Sequence, residues 1–115
     1  ATMRIIAAGL RIQAGEKLDR LPNIQADPSF LTGEIEIQDE GSQLVSLLVD
    51  AKPGEKVLDY CAGGGGKTLA LAADMQNQGT IHAYDIDKRR LAPLYARAMR
   101  AGADNVEIVQ PPKAI

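Results

Sequence analysis

Residues 57–68 read V-L-D-Y-C-A-G-G-G-G-K-T. Four consecutive glycines, Gly63, Gly64, Gly65 and Gly66, follow Cys61 and Ala62 and lead into Lys67 and Thr68. Glycine lets the backbone take positive φ and lets a ligand touch the main chain, at an entropic cost of roughly 0.5–1 kcal/mol each relative to Ala. A plain strand-to-helix turn needs one or two glycines, so four point to a ligand cradle. Asp85 follows about 20 residues later, ending the run 80–84, where an open α/β sheet sets an acid against ribose hydroxyls. A carboxylate there accepts two hydrogen bonds and rejects a phosphate. Its plain alternative is a helix cap, but Asp87 already fits that role. Lys67 offers a charge-assisted contact to the same ligand, or is simply a solvated lysine on a first helical turn. Arg90, beside Arg89, reads by itself as a surface arginine. His82, the only histidine, is expected to be structural, since nothing nearby completes a catalytic or metal cluster.

Three templates compete for the loop. A P-loop, G-x-x-x-x-G-K-[ST], ends correctly at Gly66-Lys67-Thr68 but needs a glycine where Cys61 stands. A dinucleotide fingerprint, G-x-G-x-x-G, matches Gly63 and Gly66 and needs the same missing glycine. A looser form, with an acid ending the strand and then small residues and glycines, fits Asp59, Ala62, Gly63 and Gly65.

Three ordered motifs narrow the choice: Q-D-E-G-S-Q-L at 38–44, P-G-E-K-V-L-D at 53–59 and C-A-G-G-G-G-K-T at 61–68. Together they resemble the Sun/RsmB/Nop family of RNA 5-methylcytosine methyltransferases, over residues 30–109 or so. The resemblance implies a Rossmann-like class I methyltransferase fold and S-adenosylmethionine as cofactor. Cys61, Ala62, Gly63, Gly64, Gly65, Gly66 and Lys67 would meet its methionine end through backbone amides, with Asp85 and Arg90 nearby. It also implies RNA, rRNA above all, as a partner reached through the full-length protein. The usual family loop reads C-A-A-P-G-G-K-T, so Gly63 and Gly64 replace Ala and Pro and predict a floppier loop. After the third strand the family has an acid on the adenine side, where this chain has Gln110, Pro111, Pro112 and Lys113. The family's two working cysteines come later, one of them in a P-C motif. The chain is thus expected to be the cofactor-binding half of an enzyme, with no catalytic residue of its own and no activity by itself. Cys61 matches the loop cysteine, with a packing role. The alternatives are a P-loop-like phosphate or nucleotide binder and a non-catalytic scaffold of the same fold.

The elements that must position these residues follow from periodicity. Residues 57–60 read as a short buried strand, and 67–75 as a helix stopped at Asn77-Gln78-Gly79. Thr80 to Tyr84 form a second strand. Asp87 caps a helix over 88–100, with a mild kink at Pro93 and an end at Gly102. Residues 106–109 form a third strand, which Gln110-Pro111-Pro112 cannot continue. The order is β-α-β-α-β, the first half of a doubly wound sheet in the α/β class. Before it, residues 33–38 alternate and predict a half-exposed strand with Ile35 and Ile37 facing in. Asp39, or alternatively Ser42, caps a helix whose apolar face is Leu44, Val45, Leu47, Leu48 and Val49. The segment 38–43 reads equally as helix capping and as packing beside the cofactor. Residues 1–37 are expected to be an N-terminal extension or linker, with short strands at 3–6 and 9–12, and 38–115 the first half of the methyltransferase domain.

Composition sets the remaining bounds. The 115 residues suit one small domain or a piece of one, and 45% apolar residues suffice for a core. A single cysteine excludes an internal disulfide and suits the cytoplasm. No apolar run is long enough for a bilayer, so no membrane partner is expected. A net charge of −2 leaves no electrostatic footprint for nucleic acid, which places most RNA contacts outside this chain or in a local patch. Half a doubly wound sheet leaves an edge uncovered, from which self-association is expected.

Overall fold

Val57, Ile81 and Val106 lie side by side at the centre of a three-stranded parallel sheet. The computed structural model describes residues 23–110; the strands expected at 3–6 and 9–12 lie outside them. Strands β1 (Lys56–Asp59), β2 (Thr80–Tyr84) and β3 (Val106–Val109) run in the order β1-β2-β3. Successive residues of a strand point to opposite faces, and among the described residues only one face is covered. Ile81 and Ala83 are fully buried on it, beside the partly buried Val57, Val106 and Ile108. On the other face Leu58 and Tyr60 are 62% and 65% exposed, and Tyr60 stacks on Tyr84 at 5.1 Å. The predicted strand forms over Lys56–Asp59 rather than 57–60, and among the described residues it is buried on a single face. Parallel sheets are ordinarily covered on both.

The covered face carries α3 (Gly66–Asp74), then α4 (Lys88–Leu91) and α5 (Pro93–Ala101). Leu71, Ala72 and Met75 pack with Ala51 on Ile81, and Leu69, Leu91 and Leu94 pack with Ala62 on Ala83. The sequence predicts one kinked helix over 88–100, whereas the structure has two pieces that meet at Ala92. Pro93 has no N–H to continue the ladder, and instead opens α5 from its first turn, where that loss is harmless. Asp87 caps α4 as expected, its Oδ1 accepting from the Arg89 amide at 2.9 Å. Gly102 ends α5 at φ 69°.

Upstream, α1 (Pro28–Leu31) and α2 (Glu40–Val49) flank the segment 33–38. Asp39 caps α2, accepting from the Ser42 amide at 2.8 Å and from the Ser42 hydroxyl at 2.7 Å. The expected broad apolar face of α2 is mostly exposed: among its residues only Ser46 is buried, Leu44 is half-buried, and Leu48 is 75% exposed. The strand expected at 33–38 does not form, and its alternation is inverted. Ile35 and Ile37 face out, while Glu36 and Gln38 turn inward. The cause is electrostatic, since Glu36 meets the guanidinium groups of both Arg97 and Arg100 on α5. A carboxylate held by two arginines sets the register here against the apolar pattern.

Candidate cofactor site

The loop 60–65 leaves β1 and is tied down at several points. The Ala62 amide donates to the Tyr84 carbonyl at 2.8 Å, and the Gly65 amide to the Ala62 carbonyl at 2.9 Å. Asp59, at the end of β1, accepts from the Thr68 hydroxyl at 2.6 Å, and Thr68 is completely buried. Gly65 is the glycine the geometry requires. Its φ is +93°, and a Cβ there would stand 2.1 Å from Leu94 Cδ1. As N-cap of α3 it has no side chain to offer, so the leading amides of that helix receive no side-chain cap. Such amides are donors turned toward whatever sits at the helix start.

Asp85 leaves β2 directly opposite. Its Oδ2 accepts from the Gly63 amide at 2.9 Å and its Oδ1 from the Asp87 amide at 2.8 Å. Each carboxylate oxygen has a second lone pair, so two acceptor sites remain. The Asp87 amide, the Gly63 amide and the Arg90 charge hold this carboxyl below its ordinary range, against the opposing effect of its burial. Arg90 is exposed, and its Nη2 lies 3.6 Å from where a Cβ on Gly63 would be.

Among the predicted residues, Gly63, Asp85 and Arg90 come together on one rim at the loop, and Ala62 is tied to the end of β2 beside them. Lys67 is exposed on the first turn of α3 and, with Asp59 and Val57, borders a cleft of about 170 Å³ between α2, β1 and α3. Gln38 lies against Gly66, its Nε2 3.4 Å from where a Cβ would be. Residues 38–43 therefore both cap α2 and pack beside the loop. Cys61 corrects one expectation, because its side chain is exposed rather than packed; Ala62 fills the core in its place. His82 sits on the open sheet face with Nδ1 3.6 Å from Glu107 Oε2. No cluster of three or more His, Cys, Asp or Glu suited to a metal occurs among the described residues.

Sequence reasoning missed a second layer. Arg97 Nη1 donates to the Gly64 carbonyl at 2.7 Å and Nη2 to Glu36 Oε2 at 3.2 Å. Arg100 Nη2 donates to the other oxygen of Glu36, and its guanidinium stacks over the Phe30 ring at 4.1 Å. The available signal was the spacing of Arg97 and Arg100, three apart and hence on one helix face.

A family model described as 16S rRNA methyltransferase RsmB/F matches residues 46–112. The chain belongs to that family. Among curated relatives, the mouse 28S rRNA (cytosine-C(5))-methyltransferase is 36% identical over 88 residues, covering 76% of this chain and 19% of that protein. The human tRNA (cytosine(72)-C(5))-methyltransferase NSUN6 is 33% identical over 104 residues, covering 88% and 22%. The crystal structure of NSun6 from Pyrococcus horikoshii with SFG, an S-adenosylmethionine analogue, matches with a TM-score of 0.75 at 30% identity. That match covers 80% of this chain and 24% of the solved one. The chain spans about a fifth of the length of the curated relatives it matches. Its sheet and helices are part of a Rossmann-like methyltransferase fold.

Proposed function

We propose that this chain is the cofactor-binding part of an S-adenosylmethionine-dependent RNA cytosine-5 methyltransferase, with rRNA as the substrate class and the cytoplasm as its compartment. The observation that carries the reading is the Gly63–Asp85 contact, which joins the glycine loop and the end of β2 into one rim. S-adenosylmethionine, when bound, supplies an activated methyl group. Asp85 keeps acceptor sites for ribose hydroxyls, and the uncapped amides at the start of α3, with Lys67, fit a carboxylate. Arg90 stands beside Gly63 on the same rim. Thr68 speaks against the phosphate-binding alternative. A P-loop needs that hydroxyl for Mg²⁺, and here it is buried and donates to Asp59.

Calorimetric titration of the full chain separates the two chemistries. S-adenosylhomocysteine is expected to bind, and ATP with Mg²⁺ to give no heat. Saturable binding of ATP with Mg²⁺ alone would sink the proposal.

Making 5-methylcytosine in this family uses a cysteine thiolate that adds to C6 and activates C5, which is covalent catalysis. Cys61 is the only cysteine in the chain and lies on the cofactor loop, so we assign it no part in that step. Cys61→Ser is expected to leave S-adenosylhomocysteine affinity within about twofold, the usual range for an exposed side chain. RNA containing 5-azacytidine should form no adduct with Cys61, as read by mass spectrometry. An adduct lost in Cys61→Ser would contradict the assignment.

A further inference from the structure

We propose that Arg97 is a positioning residue that holds the glycine loop in its binding shape, and that it takes over the rigidity an Ala-Pro pair gives the usual family loop. The proposal rests on reading loop 61–67 as the cofactor loop. Gly63 and Gly64 have the greatest backbone freedom of any residues, and Gly63 spends it at φ +53°. A proline in such a loop fixes φ and removes conformers before any ligand arrives. This chain has no proline there, yet two side chains reach the same two residues. Asp85 accepts from the Gly63 amide at 2.9 Å, and Arg97 donates to the Gly64 carbonyl at 2.7 Å.

Arg97 is itself held. Its second nitrogen meets Glu36 at 3.2 Å, and Glu36 is shared with Arg100, which stacks on Phe30. The side chains of Arg97, Glu36 and Arg100 are each about one quarter exposed, so water screens the contacts only in part. The planar fork of arginine lets one side chain bind a carbonyl and a carboxylate together. A lysine ammonium is a compact point charge and lacks that fixed geometry. The chain thereby fastens the loop to residues 30–36 through α5, a route that residues 61–68 alone do not contain.

The test is a double-mutant cycle on the full chain: wild type, Arg97→Ala, Gly64→Pro and the pair. Gly64 lies outside the left-handed region, and a Cβ there meets nothing closer than Arg97 Nη1 at 3.4 Å, so restraint at this position is sterically open. Gly64→Ala serves as the milder restraint should the proline variant fail to fold. Two quantities are read: hydrogen exchange of the Gly63 and Gly65 amides, and affinity for S-adenosylhomocysteine. In the glycine background, Arg97→Ala is expected to speed exchange and weaken affinity, each roughly tenfold. Arg97→Lys is expected to recover less than half of either loss on a logarithmic scale. With Gly64→Pro present, Arg97→Ala should change each quantity by less than about threefold, because coupled residues do not add. Unchanged exchange in Arg97→Ala, or equal losses in both backgrounds, would overturn the proposal. The exchange arm needs no cofactor. A wild-type chain that fails to bind S-adenosylhomocysteine therefore counts against the proposed function, while exchange still decides the role of Arg97.

Discussion

Gly65→Ala should lower the melting temperature of the chain by at least roughly 10 °C, given that each kcal/mol is worth about 4–8 °C in a domain near this size. Two effects add. A left-handed residue with a Cβ costs about 1–2 kcal/mol, and Gly65 sits at φ +93°. Overpacking a filled core costs about 1–3 kcal/mol more. The new methyl would stand 2.1 Å from Leu94 Cδ1 and 3.1 Å from its Cγ, and Leu94 is completely buried against Ala83 and Leu91. Gly54→Ala is the internal control. Gly54 has a similar φ of +89° but nothing within 4 Å of its Cβ position, so only the backbone strain applies. Thermal unfolding followed by circular dichroism reads both variants. A Gly65→Ala loss no greater than that of Gly54→Ala would mean that Leu94 moves aside freely, and that packing under the loop does not fix its path.

Asp85→Ala is expected to weaken S-adenosylhomocysteine binding by roughly tenfold to a hundredfold, the usual worth of hydrogen bonds to a charged group. The loss has two sources that act in one direction. The carboxylate would leave the ribose position, and the Gly63 and Asp87 amides would lose their acceptor. Asp85→Asn separates them in part, since the amide keeps one acceptor oxygen and sets an N–H against a backbone N–H. Affinity unchanged in Asp85→Ala, with the fold intact, would remove this residue from the site. The pH dependence has a definite sign. The Asp85 carboxyl titrates lower when folded than its ordinary value of 3.8. Its contacts therefore contribute fully above that value and fade as pH falls below it through the folded value. Loop order is accordingly expected to be flat from neutrality down to about pH 5 and to fall in stronger acid.

The three strands of the sheet were legible because each is a local feature. The strand at 80–84 is a short apolar stretch ended by an acid, and Asp39 and Asp87 were readable as caps from their positions alone. The inward turn of Glu36 was not legible. The alternation of residues 33–38 favours Ile35 and Ile37, and what reverses it is a pair of arginines more than 60 positions later. Pattern reading weighs neighbours in sequence and has no access to such a partner. Pro93 shows a subtler failure. A proline in a helical run was read as a kink, and the break at Ala92 follows once the proline opens a second helix. Small residues in such a loop predict an inward Cys61, yet Ala62 is the one that packs. In a loop of small residues, the direction of each side chain follows from backbone torsions rather than from residue type.

Amide-resolved NMR of the full chain, titrated with S-adenosylhomocysteine, tests most directly the proposed S-adenosylmethionine site at residues 61–67 and Asp85. The predicted result is saturable shifts concentrated at residues 61–67 and 85–87, with Arg90 following. Shifts confined to the cleft lined by Val45, Val49 and Leu71, or no saturable shift in a folded chain, would contradict it.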